Sequence, residues 1–460
     1  MTGSGLGSGV HVIRTNAFNS PAERLAEVRE LLNPDARLGV PIPAFGGRSL
    51  ANLAASLART LAPPGTEPPP LPRLAPGLDP IGGGTPDGPV VVLLVDGLGW
   101  LALASSAARI PDGTAARWLA RARPLTSVFP TTTTVALTSL STGAAPGQHG
   151  VVGHRVYLPS FDAVVEVLRM SPLGVPAAET LVGPDWSPSR VSGMPSIFRR
   201  GVPAVAVSRN RYEGSGFTRL LYDGAAFLPY ATASDFALGL RDVLARPDPP
   251  ALVFAYWDDL DVGQHLRGPL PELVDLELER TDALITFVAR QLDPERARRT
   301  RWVITGDHGQ VPMAPDRQLV ADRDPELLGH LARAPSGDRR ATFFAARPGH
   351  LEALRETLDA RRGPGSHLLE MPRALERGLF GPGPHHPELA ERLGDYLLLS
   401  PSPGGVVYTT PGSRGHPMRG AHGGLEPEEL LVPLISGTLS DLAAPSSRST
   451  HVPPEIPHRE

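Results

Sequence analysis

Four short apolar runs stand out along the chain, each ending in a polar, acidic or glycine-bearing corner. Residues 90–95 read VVVLLV and stop at Asp96-Gly97. Residues 202–207 read VPAVAV and stop at Ser208. Residues 251–256 read ALVFAY and lead into WDDLD, and 302–305 read WVIT and stop at Gly306-Asp307-His308. A strand with one wet face alternates apolar and polar positions, so an unalternating run predicts burial on both faces, as in a parallel sheet. Segments with helical spacing of apolar residues lie before and between these runs, at 21–32, 49–61 and 273–292. Strand alternating with helix predicts an α/β fold around a mainly parallel sheet.

The rest of the chain is organised around that core. Residues 1–45 read as a partly mobile N-terminal segment, with 1–20 the mobile part. Residues 46–440 read as the main domain. Within it, 62–89 (APPGTEPPPLPRLAPGLDPIGGGTPDGP) is an irregular linker, because Pro and Gly sustain neither regular period. A second compositional block lies between His308 and His422: strand at 341–346, helix at 349–361, strand at 366–371. It predicts a smaller α+β cap inserted at about 315–405. The Pro/Ser-rich end, 441–460, is expected to be disordered.

Composition narrows the chemistry. Of 460 residues 41% are hydrophobic and the formal net charge is −4, so the chain is globular and has no basic field to hold a nucleic-acid duplex. Cysteine is absent, which excludes disulfides, thiol nucleophiles and Cys-based metal sites. Lysine is absent too, which excludes Schiff-base and P-loop lysines. No run approaches the roughly 20 apolar residues of a membrane span, and the start MTGSGLGSGVHVIR lacks a basic region followed by an apolar one. The expectation is a cytoplasmic protein with no membrane partner.

Acidic residues collect where the strands end: Asp96, then Asp258, Asp259 and Asp261, then Asp307. Ligands of open α/β sheets bind beyond those carboxyl ends. Converging carboxylates repel one another unless protonated or bound to cations. Histidines share the same places: His265 four residues after Asp261, His308 beside Asp307, and His422 in GAHGG. Asp and His without Cys form an O/N donor set suited to Zn²⁺, Mn²⁺ or Fe. Asp96 alone is better read as turn chemistry; the whole set is better read as a metal site. His11, His330, His350, His385 and His386 are expected on the surface. A second feature is SVFPTTTTVALTSLSTG, 127–143, where the Thr run starts a helix that Gly143 ends. A helix N-terminus suits a phosphate, and a threonine hydroxyl there becomes a nucleophile if a metal lowers its pKa.

Taken in order, VVLLVDG, FPTTTTVALTSLSTG with PGQHG, DVGQH, TGDHG and GAHGGLEPEELLVPL resemble the alkaline phosphatase superfamily, in its nucleotide pyrophosphatase/phosphodiesterase-like branch. GGRSL at 46–50 is similar to the start of bacterial members. The resemblance implies an alkaline-phosphatase-like three-layer sandwich and two divalent ions, usually zinc. Asp96, Thr133, Asp307 and His308 would hold one ion; Asp261, His265 and His422 the other. It implies that Thr133 is the nucleophile, forming a phosphothreonine intermediate, and that the substrate is a small phosphate ester such as a nucleotide. The chain departs from the branch at PTTTTVAL, where members carry PTKTFPNH. Thr132 stands at the Lys position, Thr134 at the aromatic position and Ala136 at the Asn position, so one donor to a phosphate oxygen is missing there. Two ions set about four positive charges against five negative ones (three Asp, an alkoxide and a diester), a balance that favours diesters. A monoester wants a further cation, for which Arg155 and Arg267 lie near motifs. The alternatives are a phosphomonoesterase or phosphonate hydrolase of the same superfamily, or a non-catalytic metal- or phosphate-binding protein. A sulfatase is excluded by the lack of a C/S-x-P-x-R motif at the nucleophile position.

Overall fold

The computed structural model describes residues 21–82, 84–410 and 418–443. Val90–Val95 is the centre of a seven-stranded sheet. Leu252–Trp257 and Arg301–Thr305 flank it in parallel, and Ala204–Arg209 and Ala226–Tyr230 extend the parallel set on one side. On the other side Leu431–Thr438 runs antiparallel to Arg301–Thr305 and pairs with the outermost strand, Ala122–Thr126. All four predicted strands form, with ends shifted by up to two residues.

The unbroken apolar run at the centre has a direct cause. Val90, Val92 and Leu94 enter one core cluster, and Val91, Leu93 and Val95 enter another. The first cluster lies under the helices Leu50–Leu61 and Thr133–Thr142; the second lies under Trp100–Arg109, Ala233–Ala245 and Pro271–Gln291. The result is a helix–sheet–helix sandwich. The register sets Val95 beside Trp257 and Leu94 beside Thr305, so the strands end level and bring Asp96, Asp258 and Asp307 to one rim.

A second seven-stranded sheet is antiparallel throughout, in the order His367–Glu370, Tyr396–Leu399, Ala341–Phe344, Ser336–Gly337, Arg155–Leu158, Ala163–Glu166, Ser171–Pro172. Four of its strands come from the block expected to form a cap. Three come from 155–172, a stretch whose apolar pattern is too short to signal a strand. Val156, Leu158, Ala341, Phe343 and Leu397 share the first core cluster with the main sheet, so the two sheets are packed together.

The linker 62–82 forms neither helix nor strand among the described residues, but Leu71, Leu74 and Leu78 are buried in the core. Asn52 ties it down, donating to Phe45 O and Pro72 O. Leu38, Val40 and Phe45 are buried as well, so the segment before 46 packs as part of the same body. At the other end Leu439–Leu442 is helical and capped by Thr438, which places the first residues of the expected disordered tail in ordered structure. Residues 1–20, with His11, and 444–460 lie outside the described residues. Among the described residues no helix is long and apolar enough to cross a membrane.

Candidate active site

Two glycines explain how Asp307 and His308 reach the rim. A Cβ on Gly306 would collide with the Leu98 carbonyl, and one on Gly309 with the Glu428 carbonyl, so the corner packs backbone against backbone. Asp307 is fixed there by Gly97 N–H and His308 N–H, which donate to its Oδ1 at 3.1 and 3.0 Å. Tyr256, the penultimate residue of its strand, donates its hydroxyl to Asp96 Oδ2.

The acidic segment after that strand is sorted by its partners. Asp258 accepts from Arg209 at 2.9 Å, Arg211 at 2.5 Å and Tyr212 at 2.9 Å. Asp259 is paired with Arg209 and Arg280. Among the described residues Asp261 has no arginine partner. The helix Asp259–Arg267 sets it on the same face as His265, whose Nε2 lies 3.3 Å from Asp261 Oδ2. Gln310 donates to the other Asp261 oxygen.

The three histidines are held in a common way. His265 Nδ1 lies 2.9 Å from Gly420 O, His422 Nδ1 2.9 Å from Thr131 O, and His308 Nδ1 3.2 Å from Gly309 O. A carbonyl only accepts, so each Nδ1 carries the proton and each Nε2 lone pair is left for the site. A backbone carbonyl behind a ligating imidazole is the usual support of a metal-binding histidine. His308 and His422 stack at 3.7 Å between ring centroids. Two donor groups result, Asp96–Asp307–His308 and Asp261–His308–His422, with His265 beside the second.

The donor set fits cations. Among the described residues Asp96 Oδ1 and Asp307 Oδ2 are buried without a hydrogen-bond partner, both close to His308 Nε2, at 3.5 and 3.3 Å. Buried carboxylate oxygens left unpaired are costly. Burial, with Asp307 and Asp261 nearby, pushes the Asp96 carboxyl well above the usual carboxylate range. Burial, with His308 and His265 nearby, pushes His422 well below the ordinary imidazole value, so its ring is a neutral donor.

The threonine run is sorted too. Thr131 donates to Gly424 O at 2.8 Å, Thr134 to Gly153 O at 2.8 Å, and Thr132 to Asp338 Oδ1 at 3.3 Å. Thr133 is the first residue of the helix Thr133–Thr142 and the one helix residue not fully buried. Its Oγ1 lies 3.2 Å from His308 Nε2. The helix ends at Gly143 in the left-handed conformation. Ala136 is buried in the core and offers no donor.

Thr133, Asp261, His265 and His422 open onto a cavity of about 350 Å³. Arg155, expected near the motifs, lines it from the strand Arg155–Leu158; Asp338 and Arg339, which the sequence did not single out, line it from the tip of a hairpin. Burial pushes Asp338 up to about 6. Arg267 is exposed and does not line the cavity. His149 of PGQHG is buried away from the site, bonded to Ser139 at 2.9 Å. His330, His350, His385 and His386, expected on the surface, are half-buried; His330 and His350 pair at 2.9 Å, and His386 packs against Arg392.

A family model described as type I phosphodiesterase / nucleotide pyrophosphatase matches residues 90–425. The chain belongs to this family. It is therefore a hydrolase acting on phosphoric ester bonds, and its family is metal-dependent, in accord with the donor groups above. No protein of curated description matches it in sequence. Among solved structures, murine ectonucleotide pyrophosphatase/phosphodiesterase 5 is similar at 17% identity and a TM-score of 0.57, over 75% of this chain and 87% of that one. An inactive variant of the murine protein in complex with AMP aligns at 16% identity and 0.57, over 76% and 87%. The human protein aligns at 16% and 0.54, over 75% and 87%. At these identities the likeness concerns the fold.

Proposed function

We propose that the enzyme is a phosphodiesterase with a threonine nucleophile and two divalent ions, zinc by the chemistry of the donors, acting on small nucleotide-like diesters. One observation carries this reading: of four consecutive threonines, Thr133 alone turns its hydroxyl toward the carboxylate–imidazole cluster. Asp96, Thr133, Asp307 and His308 hold one ion, and Asp261, His265 and His422 the other. The chemistry those ions supply is charge neutralisation of the phosphate and an acidified Thr133 hydroxyl.

The chain's own residues do the rest. The helix that starts at Thr133 points free backbone N–H groups at the phosphate, which partly offsets the donor lost at Ala136. Thr133 Oγ1 attacks phosphorus, the bond to the leaving oxygen breaks, and water then hydrolyses the phosphothreonine. Leu168, Val406, Tyr408 and Met418 give the cavity an apolar wall for the organic part of the ester. Because Thr134 replaces the aromatic residue of the branch and is turned to Gly153 O, base contacts fall to that wall.

The test is a panel of aryl mono- and diesters with the zinc-loaded chain, with metal content measured in parallel. Expected are about two ions per chain and diester rates at least about tenfold above monoester rates. Faster monoester turnover moves the enzyme to the phosphomonoesterases, and bound metal without turnover of either ester overturns the phosphodiesterase reading. Asp307→Asn should cut metal content from about two ions toward one with circular dichroism unchanged, since it removes charge from a buried donor. Full occupancy in that variant strikes Asp307 from the ligands.

A further inference from the structure

Three carboxylates face the donor cluster, and in each the two oxygens are divided. Asp96 Oδ2 accepts from the Tyr256 hydroxyl, and Asp307 Oδ1 from Gly97 N–H and His308 N–H. Asp261 Oδ1 accepts from the Gln310 amide. The other oxygens, Asp96 Oδ1, Asp307 Oδ2 and Asp261 Oδ2, lie 3.5, 3.3 and 3.3 Å from a histidine Nε2. Each of the donors holding the first oxygen is neutral. An arginine in the same place would cancel the negative charge on which a cation draws, as arginines do at Asp258 and Asp259.

Gln310 is the donor with the longest reach. It is 6% exposed and stands two residues after His308. It opens into Val311–Pro312, which pairs antiparallel with Gly420–Ala421, the two residues before His422. Its side chain crosses to the helix Asp259–Arg267, where Nε2 donates to Asp261 Oδ1 and, at 3.3 Å, to the Asp261 carbonyl. One amide therefore joins the segments that carry Asp307 and His308, Asp261 and His265, and His422. Room is left for it: a Cβ on Gly420 would stand 2.5 Å from Gln310 Oε1. That Oε1 is buried and, among the described residues, has no hydrogen-bond partner. A buried orphan oxygen is costly, and an apolar side chain of the same length avoids it. What the amide adds is its two N–H groups, and both go to Asp261.

We propose that Gln310 is a positioning residue for the second ion. It fixes the Asp261 carboxylate with a neutral donor, leaves Oδ2 to the ion with the charge undiminished, and ties the second ligand group to the corner that carries the first. This rests on the two-ion reading above and names the residue that makes the second ion tight.

The test is Gln310→Met, which keeps the length of the side chain and removes both N–H donors. Wild type and variant, as full chains, are stripped of metal and titrated with zinc against a competing chelator, and with cobalt, whose visible absorption reports its ligands. Wild type should take up two ions. The variant should take up the first with unchanged affinity and the second about 10–100-fold more weakly, with the absorption of the second cobalt equivalent altered. Excess zinc should restore its diester turnover, because every proposed ligand remains. Circular dichroism and the denaturant midpoint of the metal-free chains read folding separately. Equal weakening of both ions with a lowered midpoint assigns Gln310 to packing alone and overturns the proposal, as does a variant that binds both ions like wild type. A wild type that holds a single ion at saturation overturns the two-ion reading and the clamp with it. Two ions bound by wild type without diester turnover, with the second weakened in the variant, overturns the phosphodiesterase reading and leaves the clamp standing.

Discussion

Thr133→Ala is expected to lower turnover of a phosphodiester by about 10⁴–10⁶-fold, the size of effect seen when a hydrolase loses its nucleophile. The fold should survive. Thr133 is partly buried at a helix start, and among the described residues its hydroxyl has one hydrogen-bond contact, to His308 at 3.2 Å, so the stability change should stay near about 1 kcal/mol. Thr133→Ser keeps a hydroxyl at the same atom and should retain measurable turnover. Thr132→Ala and Thr134→Val are the controls, since their hydroxyls serve Asp338 and Gly153 O. A stopped assay with purified, metal-analysed variants reads all four. If Thr133→Ala keeps more than about a hundredth of the rate while a neighbour's variant is dead, the nucleophile is the neighbour.

Arg340→Ala is expected to cost about 3–5 kcal/mol of unfolding free energy, measured by denaturant titration, because it leaves a buried carboxylate uncompensated. Arg340 is 1% exposed and Glu429 is fully buried, and the guanidinium grips both Glu429 oxygens at 2.7 and 2.8 Å. The effect should spread to the site. Glu429 also accepts from Gly424 N–H at 2.9 Å, and Gly424 follows the loop that carries His422. Zinc content should therefore fall with stability in this variant. The double variant Arg340→Met/Glu429→Gln should recover part of the loss, as it removes both charges at once. A single variant within about 1 kcal/mol of wild type would show that the buried pair contributes no more than an exposed one.

How far the sequence reached can be judged strand by strand. Val90–Val95 is legible because both its faces are dry, and only a continuous apolar run satisfies two cores at once. Ala122–Thr126 and Leu431–Thr438 are not. They read ARPLT and LVPLISGT, and their prolines, Pro124 and Pro433, lie opposite each other in the pairing. Proline deletes a ladder donor, so a proline-bearing segment reads as a break until a partner strand is known. Arg155–Leu158 and Ala163–Glu166 are four residues each, too short for a period to rise above chance.

The chemistry divides in the same way. Local sequence determined the α/β class, the helix that runs from the threonines to Gly143, and the kinds of donor at the strand ends, because backbone preference, burial pattern and ligand type are properties of a few adjacent residues. Tertiary structure alone decided which threonine stays open and which aspartate of WDDLD is left without an arginine. It also brought Arg339 from the second sheet to the cavity that Thr133 lines. Each of those outcomes depends on what a side chain meets across long stretches of chain, and a charge or hydroxyl is spent or free only once its neighbours in space are fixed.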